Sequence, residues 1–427
     1  MRKLTRRGFA GAVAGSAIGT AALGGFGRQA LAETRMRFFW WGNPDRNKRT
    51  YEVVELYNKK VPGVAIDPET IGWDDYWPKM ATQASGRNMA DVVQMDYRYL
   101  FEYARRNQLE PLDDYIGKGL DLSAFNPSFL ESGKVDGKLY AVPWTQNSVT
   151  CYCDGTTLAA LGIPVPEASW TWDDLKRIAG EVKKAGKADF WGVSDKGRWE
   201  PMMEFFMRQR GKALYDEAGQ LAFTEEDVAD YFGLWESFRK DGLATPGDLT
   251  AQDSTLQQMP LTLGKAAIDF AHSNQIVALQ GLNKNELQMT MLPNLPGGKP
   301  GQYLKPSMLI SVARTSKIKP EAVAFTQFLA ADWDAAQVLR VERGVPGDET
   351  IRDQLIPIVN PIEKKMLAYL GVTSKNVGPL PPAPPKGAGE VDKMLQRTYP
   401  EMAFGRVSVK DGAAQFYRDA QNILRRA

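Results

Sequence analysis

Arg35-Met36-Arg37-Phe38-Phe39-Trp40-Trp41, closed by Gly42-Asn43-Pro44, is the stretch from which the fold can be read. Aromatic residues at consecutive positions favour a buried strand, and Gly-Asn-Pro ends the run. Val53, Leu56 and Tyr57 follow at helical spacing until Pro62-Gly63, and Val64 and Ile66 open a second strand. Trp73 to Ala84 reads as a helix entered through Asp74 and Asp75. Asp91-Val92-Val93-Gln94-Met95 reads as a third, buried strand. Repeated strand–helix units predict an α/β architecture built on a mostly parallel sheet.

The alternation continues towards the C-terminus. Gly137-Lys138-Leu139-Tyr140-Ala141-Val142-Pro143 leads into the strand-like Val149-Thr150-Cys151-Tyr152-Cys153-Asp154. Thr171, with Asp174 three residues on, has the spacing of a capping box, and Leu175, Ile178, Ala179 and Val182 share one face of the helix it heads. Asn294 to Gly301 is a Pro/Gly-rich loop. Lys305 to Val312 reads as a strand, and Pro320 opens a helix bearing Ala322, Phe325 and Leu329. Gly378 to Gly389 is a proline-rich ordered loop or short linker before a helical C-terminus. A chain of 427 residues has room for two domains, each with its own core.

At the other end, Thr5-Arg6-Arg7-Gly8-Phe9, a Gly/Ala-rich apolar stretch from Ala10 to Phe26, and Ala30-Leu31-Ala32 form an export signal of the twin-arginine type over 1–32. The stretch is glycine-laden and weakly apolar, which argues against a spanning helix. No cysteine lies near the cleavage point, so a free, unanchored protein beginning near Glu33 is expected. Residues 1–32 carry five cations and no acid, so their removal lowers the formal net charge from +2 to −3. With no basic run downstream, nucleic acid is not an expected partner. Cys151 and Cys153 are the only cysteines. Two apart on a strand, they point to one face and read as buried thiols, with strained geometry opposing a bridge. A single histidine, His272, leaves little from which to build a metal site, and no cofactor is expected.

Several of these segments, in order, resemble the extracellular solute-binding protein family that serves carbohydrate ABC importers. They are Trp40-Trp41-Gly42, Ile71-Gly72-Trp73-Asp74, Asp91 to Met95 and Gly137 to Pro143. To these are added Gly264-Lys265-Ala266-Ala267-Ile268 with Asn274, Leu292-Pro293 through Gly297-Gly298, Lys305-Pro306 and Glu342-Arg343-Gly344-Val345-Pro346. Within the family, the Trp-Trp-Gly opening and the Glu-Arg-Gly-Val-Pro segment look most like oligogalacturonide-type binding proteins. The resemblance implies a two-lobed periplasmic binding protein fold with a hinge and an interlobe ligand cleft. The chain would cross between lobes near Thr145–Val149, Tyr303–Lys305 and Arg343–Gly347. One lobe would be 33–146 plus 305–344, the other 147–304 plus 345–427. It also implies a monomeric, non-catalytic periplasmic protein that captures a sugar and delivers it to membrane permease subunits.

A sugar presents hydroxyls at its edge and C–H faces above and below, so its site needs aromatic platforms and paired polar groups. Loops after strands supply the candidates. Trp40, Trp41, Asn43 and Arg46 follow the first strand, where alternation sends one tryptophan to the cleft and the other to the core. Trp73 offers a platform or a core residue. Gln94 and Asp96 bracket the third strand's end, where capping is the alternative role. Trp144, Gln146 and Asn147 sit at the first crossing. Trp199, Glu200, His272, Ser273 and Asn274 face them from the second lobe. Lys305 and Arg343, with Arg46, could receive an anionic sugar, or could form salt bridges to acids such as Glu342 or Asp348. The competing reading is an exported carbohydrate-active enzyme, a glycoside hydrolase or lyase, although no short segment frames the carboxylate pair that hydrolysis needs.

Overall fold

The computed structural model describes residues 34–426; the export-signal reading lies outside them. The first three strands, β1 (Thr34–Trp41), β2 (Val64–Ile71) and β3 (Val92–Met95), alternate with helices α1 (Pro44–Lys60), α2 (Trp73–Ser85) and α3 (Tyr97–Arg105). β1 lies between β2 and β3, parallel to both. Local chemistry sets these boundaries. Asn43 caps α1, its side chain accepting from the Arg46 N–H at 2.8 Å, and Pro44 occupies the first turn.

A two-stranded hairpin follows, β4 (Lys134–Val135) with β5 (Lys138–Leu139). Next come β6 (Val142–Asn147) and β7 (Val149–Asp154), then β8 (Trp191–Val193), β9 (Ala266–His272), β10 (Leu287–Thr290), β11 (Lys305–Val312) and β12 (Val345–Pro346). The first sheet runs β12-β6-β11-β3-β1-β2 and the second β10-β7-β9-β8. β11 is antiparallel to both β3 and β6. In the second sheet β7 is antiparallel to its neighbours, while β8 pairs parallel with β9. The capping box at Thr171 and Asp174 forms as expected and heads the Trp172–Lys184 helix. Among the described residues no helix is long and apolar enough to cross a membrane.

Each sheet has its own core. Phe38, Trp40, Val92, Leu309 and Phe325 are buried around the first; Cys151, Cys153, Trp235, Phe270 and Tyr399 are buried around the second. Helices cover the sheet, so both faces of β1 are buried. Trp40 is fully inside, its Nε1 donating to Asn47 at 2.9 Å. Trp41 sits in an aromatic cluster with Trp73, Tyr76 and Trp77. Both tryptophans are therefore buried in this structure, Trp40 within the sheet core and Trp41 in the aromatic cluster. Cys151 and Cys153 are free buried thiols with sulfurs 3.9 Å apart.

The chain passes from the first sheet to the second between Asn147 and Val149, returns at Lys305, and brings Val345–Pro346 against β6. Buried polar side chains lock these passages together. Asn147 Nδ2 donates to Asn274 Oδ1 (2.7 Å) and Ser307 Oγ (2.9 Å). Asn274 Nδ2 donates to the Glu342 carbonyl at 3.2 Å, and both Ser307 and Thr145 hydroxyls donate to the Arg343 carbonyl. Gly344 has φ +127°, and a Cβ there would lie 2.6 Å from the Gln146 carbonyl oxygen, so only glycine fits this crossing. Replacing Asn147 by alanine strands Asn274 and Ser307 in a buried site. Asn147→Ala is expected to lose about 2 kcal/mol of stability, read from urea unfolding, with β-sheet circular dichroism unchanged.

Candidate functional site

Between the sheets lies a cavity of about 50 Å³. Asp96, Tyr97 and Arg98 line it from the junction of β3 and α3, Tyr303 and Lys305 from a crossing, and Glu200, Glu204, Tyr215 and His272 from the second sheet's side. Pro381, Pro382 and Pro384 of the proline-rich segment close one wall. The space holds a few waters but no ligand of sugar size, since ligand pockets run to about 300–1,000 Å³.

Arg98 is the central charge. Its guanidinium donates to Glu200 at 2.6 Å and to Asp392 at 2.9 Å, so a helix of the first lobe is tied to two helices of the second. All three side chains are largely buried. Burial opposes the Arg98 charge, but Asp392 and Glu200 outweigh it and raise its pKa. Burial dominates at Glu200 and, against the pull of Arg98, raises its pKa to about 7. Asp96 caps α3 through the Arg98 N–H and meets Lys305 Nζ at 3.4 Å. Burial alone would raise its pKa; Lys305 and Arg98 hold it below the ordinary value. His272 is pulled down to about 3 by burial and by Lys305, so the ring is neutral at physiological pH. Trp199 meets its ring edge-on at 5.4 Å. The Tyr303 hydroxyl donates to Glu204 at 2.8 Å, while the Arg208 guanidinium lies 4.8 Å from the Tyr303 ring centre.

A sequence profile described as "Bacterial extracellular solute-binding protein" matches residues 42–334. The chain belongs to this family. A solved family 1 extracellular solute-binding protein from Alicyclobacillus acidocaldarius is 30% identical, with a TM-score of 0.69, covering 92% of this chain and 98% of that one. The periplasmic oligogalacturonide binding protein of Yersinia enterocolitica, solved with saturated digalacturonic acid, is 23% identical with a TM-score of 0.84, covering 92% and 99%. A carbohydrate ABC transporter substrate-binding protein of Streptococcus pneumoniae is 28% identical over 134 residues, 30% of this chain and 27% of that protein. The two-lobed binding-protein fold is thus established.

In this solute-binding protein, four residues singled out from sequence, Asp96, Glu200, His272 and Lys305, meet at the cavity, with Trp199 against His272. The others lie elsewhere. Asn147, Ser273 and Asn274 are buried in the crossing network. Gln94 donates to the Trp41 carbonyl and accepts from Arg343. Trp40, Trp41, Trp73 and Trp144 pack in the first core or against it. Asn43 and Arg46 both bond to Glu342, Arg46 at 2.8 and 3.0 Å. Convergence of Arg46, Lys305 and Arg343 on one anion is not what the structure shows. Arg343 is buried over Trp144, donates to Thr50 at 2.6 Å, and has its pKa pulled down to about 9 by burial and by Arg46.

Sequence reading missed Tyr97, Arg98, Glu204, Tyr215, Tyr303, Asp392 and the three prolines. Tyr97 and Arg98 directly follow Asp96 in the first turn of α3, and Tyr303 is two residues from Lys305. Adjacency to a strand end was the available signal for these three. Nothing local marks Asp392.

The pKa of Glu200 predicts a pH effect. Between its ordinary 4.5 and about 7, the folded protein holds a proton that the unfolded chain has released, so this group's contribution to stability falls as pH rises through that window. Glu200→Gln removes the titration. The Tm difference, variant minus wild type, is expected to grow more positive from pH 5 to pH 8; a difference constant across that range excludes Glu200 as the titrating group.

Proposed function

We propose that this protein is the periplasmic receptor of an ABC importer and that it captures a neutral sugar or oligosaccharide in the interlobe cleft. The supporting observation is the chemistry of the cavity wall. Aromatic rings from Tyr97, Tyr215 and Tyr303 stand beside carboxylates and cations that already pair with one another, and Trp199 packs against the lining residue His272. Hydroxyls can insert among such groups as donor and acceptor at once, and aromatic faces can receive sugar C–H surfaces. An anionic sugar is less well served. Lys305 and Arg98 are opposed by Asp96, Glu200 and Glu204 along the same wall, and Arg46 and Arg343 are engaged away from it.

In this reading the lobes are 33–146 with 305–344, and 147–304 with 345–427, hinged at the crossings. Ligand entry breaks the Arg98 contacts to Glu200 and Asp392 and widens the cavity; closure then engages these groups through the solute's hydroxyls and presents one shape to the permease. The protein is exported by the twin-arginine route through the signal at 1–32, acts as a monomer and performs no catalysis.

Thermal unfolding against neutral and uronic-acid sugars tests the proposal. Neutral sugars are expected to raise Tm with concentration, by the equivalent of about 2.7 kcal/mol at a hundredfold excess over Kd. Trp199→Ala is expected to weaken that response by roughly tenfold in affinity. A response to uronic acids alone would reverse the charge assignment. Product in excess over protein would show the exported carbohydrate-active enzyme instead.

A further inference from the structure

A second cavity, about 430 Å³, lies on the reverse side of the hinge. The crossings present alternate residues to the two sides. Asn147 and Lys305 turn to the polar network and the front cavity, whereas Gln146 and Leu304 line this one. Val345 completes the hinge-side wall.

The opposite wall comes from two helices that share one core, the first of which also bonds to the first lobe. Arg352 and Ile356 belong to the Glu349–Leu355 helix and its end, which is tied to the first lobe by the Glu349 N–H donating to the Ala124 carbonyl at 2.9 Å. Leu367, Leu370 and Gly371 belong to the Pro361–Thr373 helix, which packs on β10 and the Ile276–Leu282 helix of the second lobe. The cavity thus lies against the crossings and has the volume of a small-ligand site.

Its chemistry is one-sided. Leucine and valine side chains form the interior, while Ile356 at the mouth is 50% exposed. Two cations line it, Arg352 and the exposed Lys364, and no carboxylate does among the described residues. Arg352 also meets Asp353 at 3.1 Å and Glu349 at 3.7 Å outside the lining. We infer that this cavity binds an amphiphilic carboxylate. The apolar chain lies among Leu304, Val345, Leu367 and Leu370, and the anionic head sits between Arg352 and Lys364.

Calorimetric titration of the purified protein with sodium octanoate, octan-1-ol and sodium acetate tests this. Octanoate is expected to bind saturably and one-to-one, about tenfold tighter than octanol, with acetate silent. A Cβ added at Gly371 meets nothing within 4 Å, so Gly371→Phe should direct its ring into the cavity from an undisturbed helix and weaken octanoate by at least about tenfold. Ser374→Trp, from the same lining, provides a second block should the first variant misfold. Neutralising the head site with Arg352→Gln and Lys364→Gln together should bring octanoate down to the octanol level. The inference is overturned by the absence of saturable octanoate binding, by unchanged affinity in folded blocking variants, or by octanoate binding indifferent to both cations.

Discussion

The side-chain amide of Asn147 holds the two halves of this molecule in register. Its two donated hydrogen bonds reach the second sheet's side through Asn274 and the first sheet through Ser307, at the residue where β6 becomes β7. Asn274 and Ser307 then bond to the carbonyls of Glu342 and Arg343, so the third passage is fastened by the first two. These groups are buried, and each lost partner costs about 1–3 kcal/mol, so the network tolerates few alternative arrangements. Its burial also explains the glycine: Gly344 brings a third backbone to within reach of Gln146, where any side chain would collide.

From that fixed crossing the charges sort themselves. Glu342, beside the network, takes Arg46 as its partner. Burial works against the carboxylate, but Arg46 and Arg343 hold its pKa below the ordinary value. Two of the three cations once available for an anion are thereby held in the first lobe's interior. Lys305, two positions before Ser307 on the same strand, projects instead to the cavity and meets Asp96. Whether a crossing residue joins the buried network or reaches the cavity depends on partners distant in the chain.

That dependence decides how much was legible in the sequence. β1, the Trp73–Ser85 helix, the Thr171 capping box and β11 follow from local signals, because apolar runs, caps and breakers act within a few residues. The family resemblance carried the two-lobed plan. The tryptophans of β1 escaped because their fate rests on what covers both faces of the sheet, and a single strand does not contain that information. Arg343 escaped similarly: its neighbours Gln94, Thr50 and Trp144 lie some 200–290 residues away in the chain. Asp392 follows a proline-rich segment with no motif, yet pairs with Arg98 across the interface.

The contacts that seal the empty cavity also set what a solute must overcome. Arg98 gains its full electrostatic advantage only when Glu200 and Asp392 approach and water is excluded, and that approach costs Glu200 its ordinary acidity. Opening rehydrates all three groups, which recovers solvation while surrendering the pairing, so the balance between open and closed forms rests on a small difference between large terms. A solute that supplies hydroxyls to these groups while filling the space between aromatic walls shifts that balance by its differential affinity for the closed form, and by nothing else. Under the proposed reading, a solute that enters between Arg98 and its two carboxylates must replace the pairing it displaces.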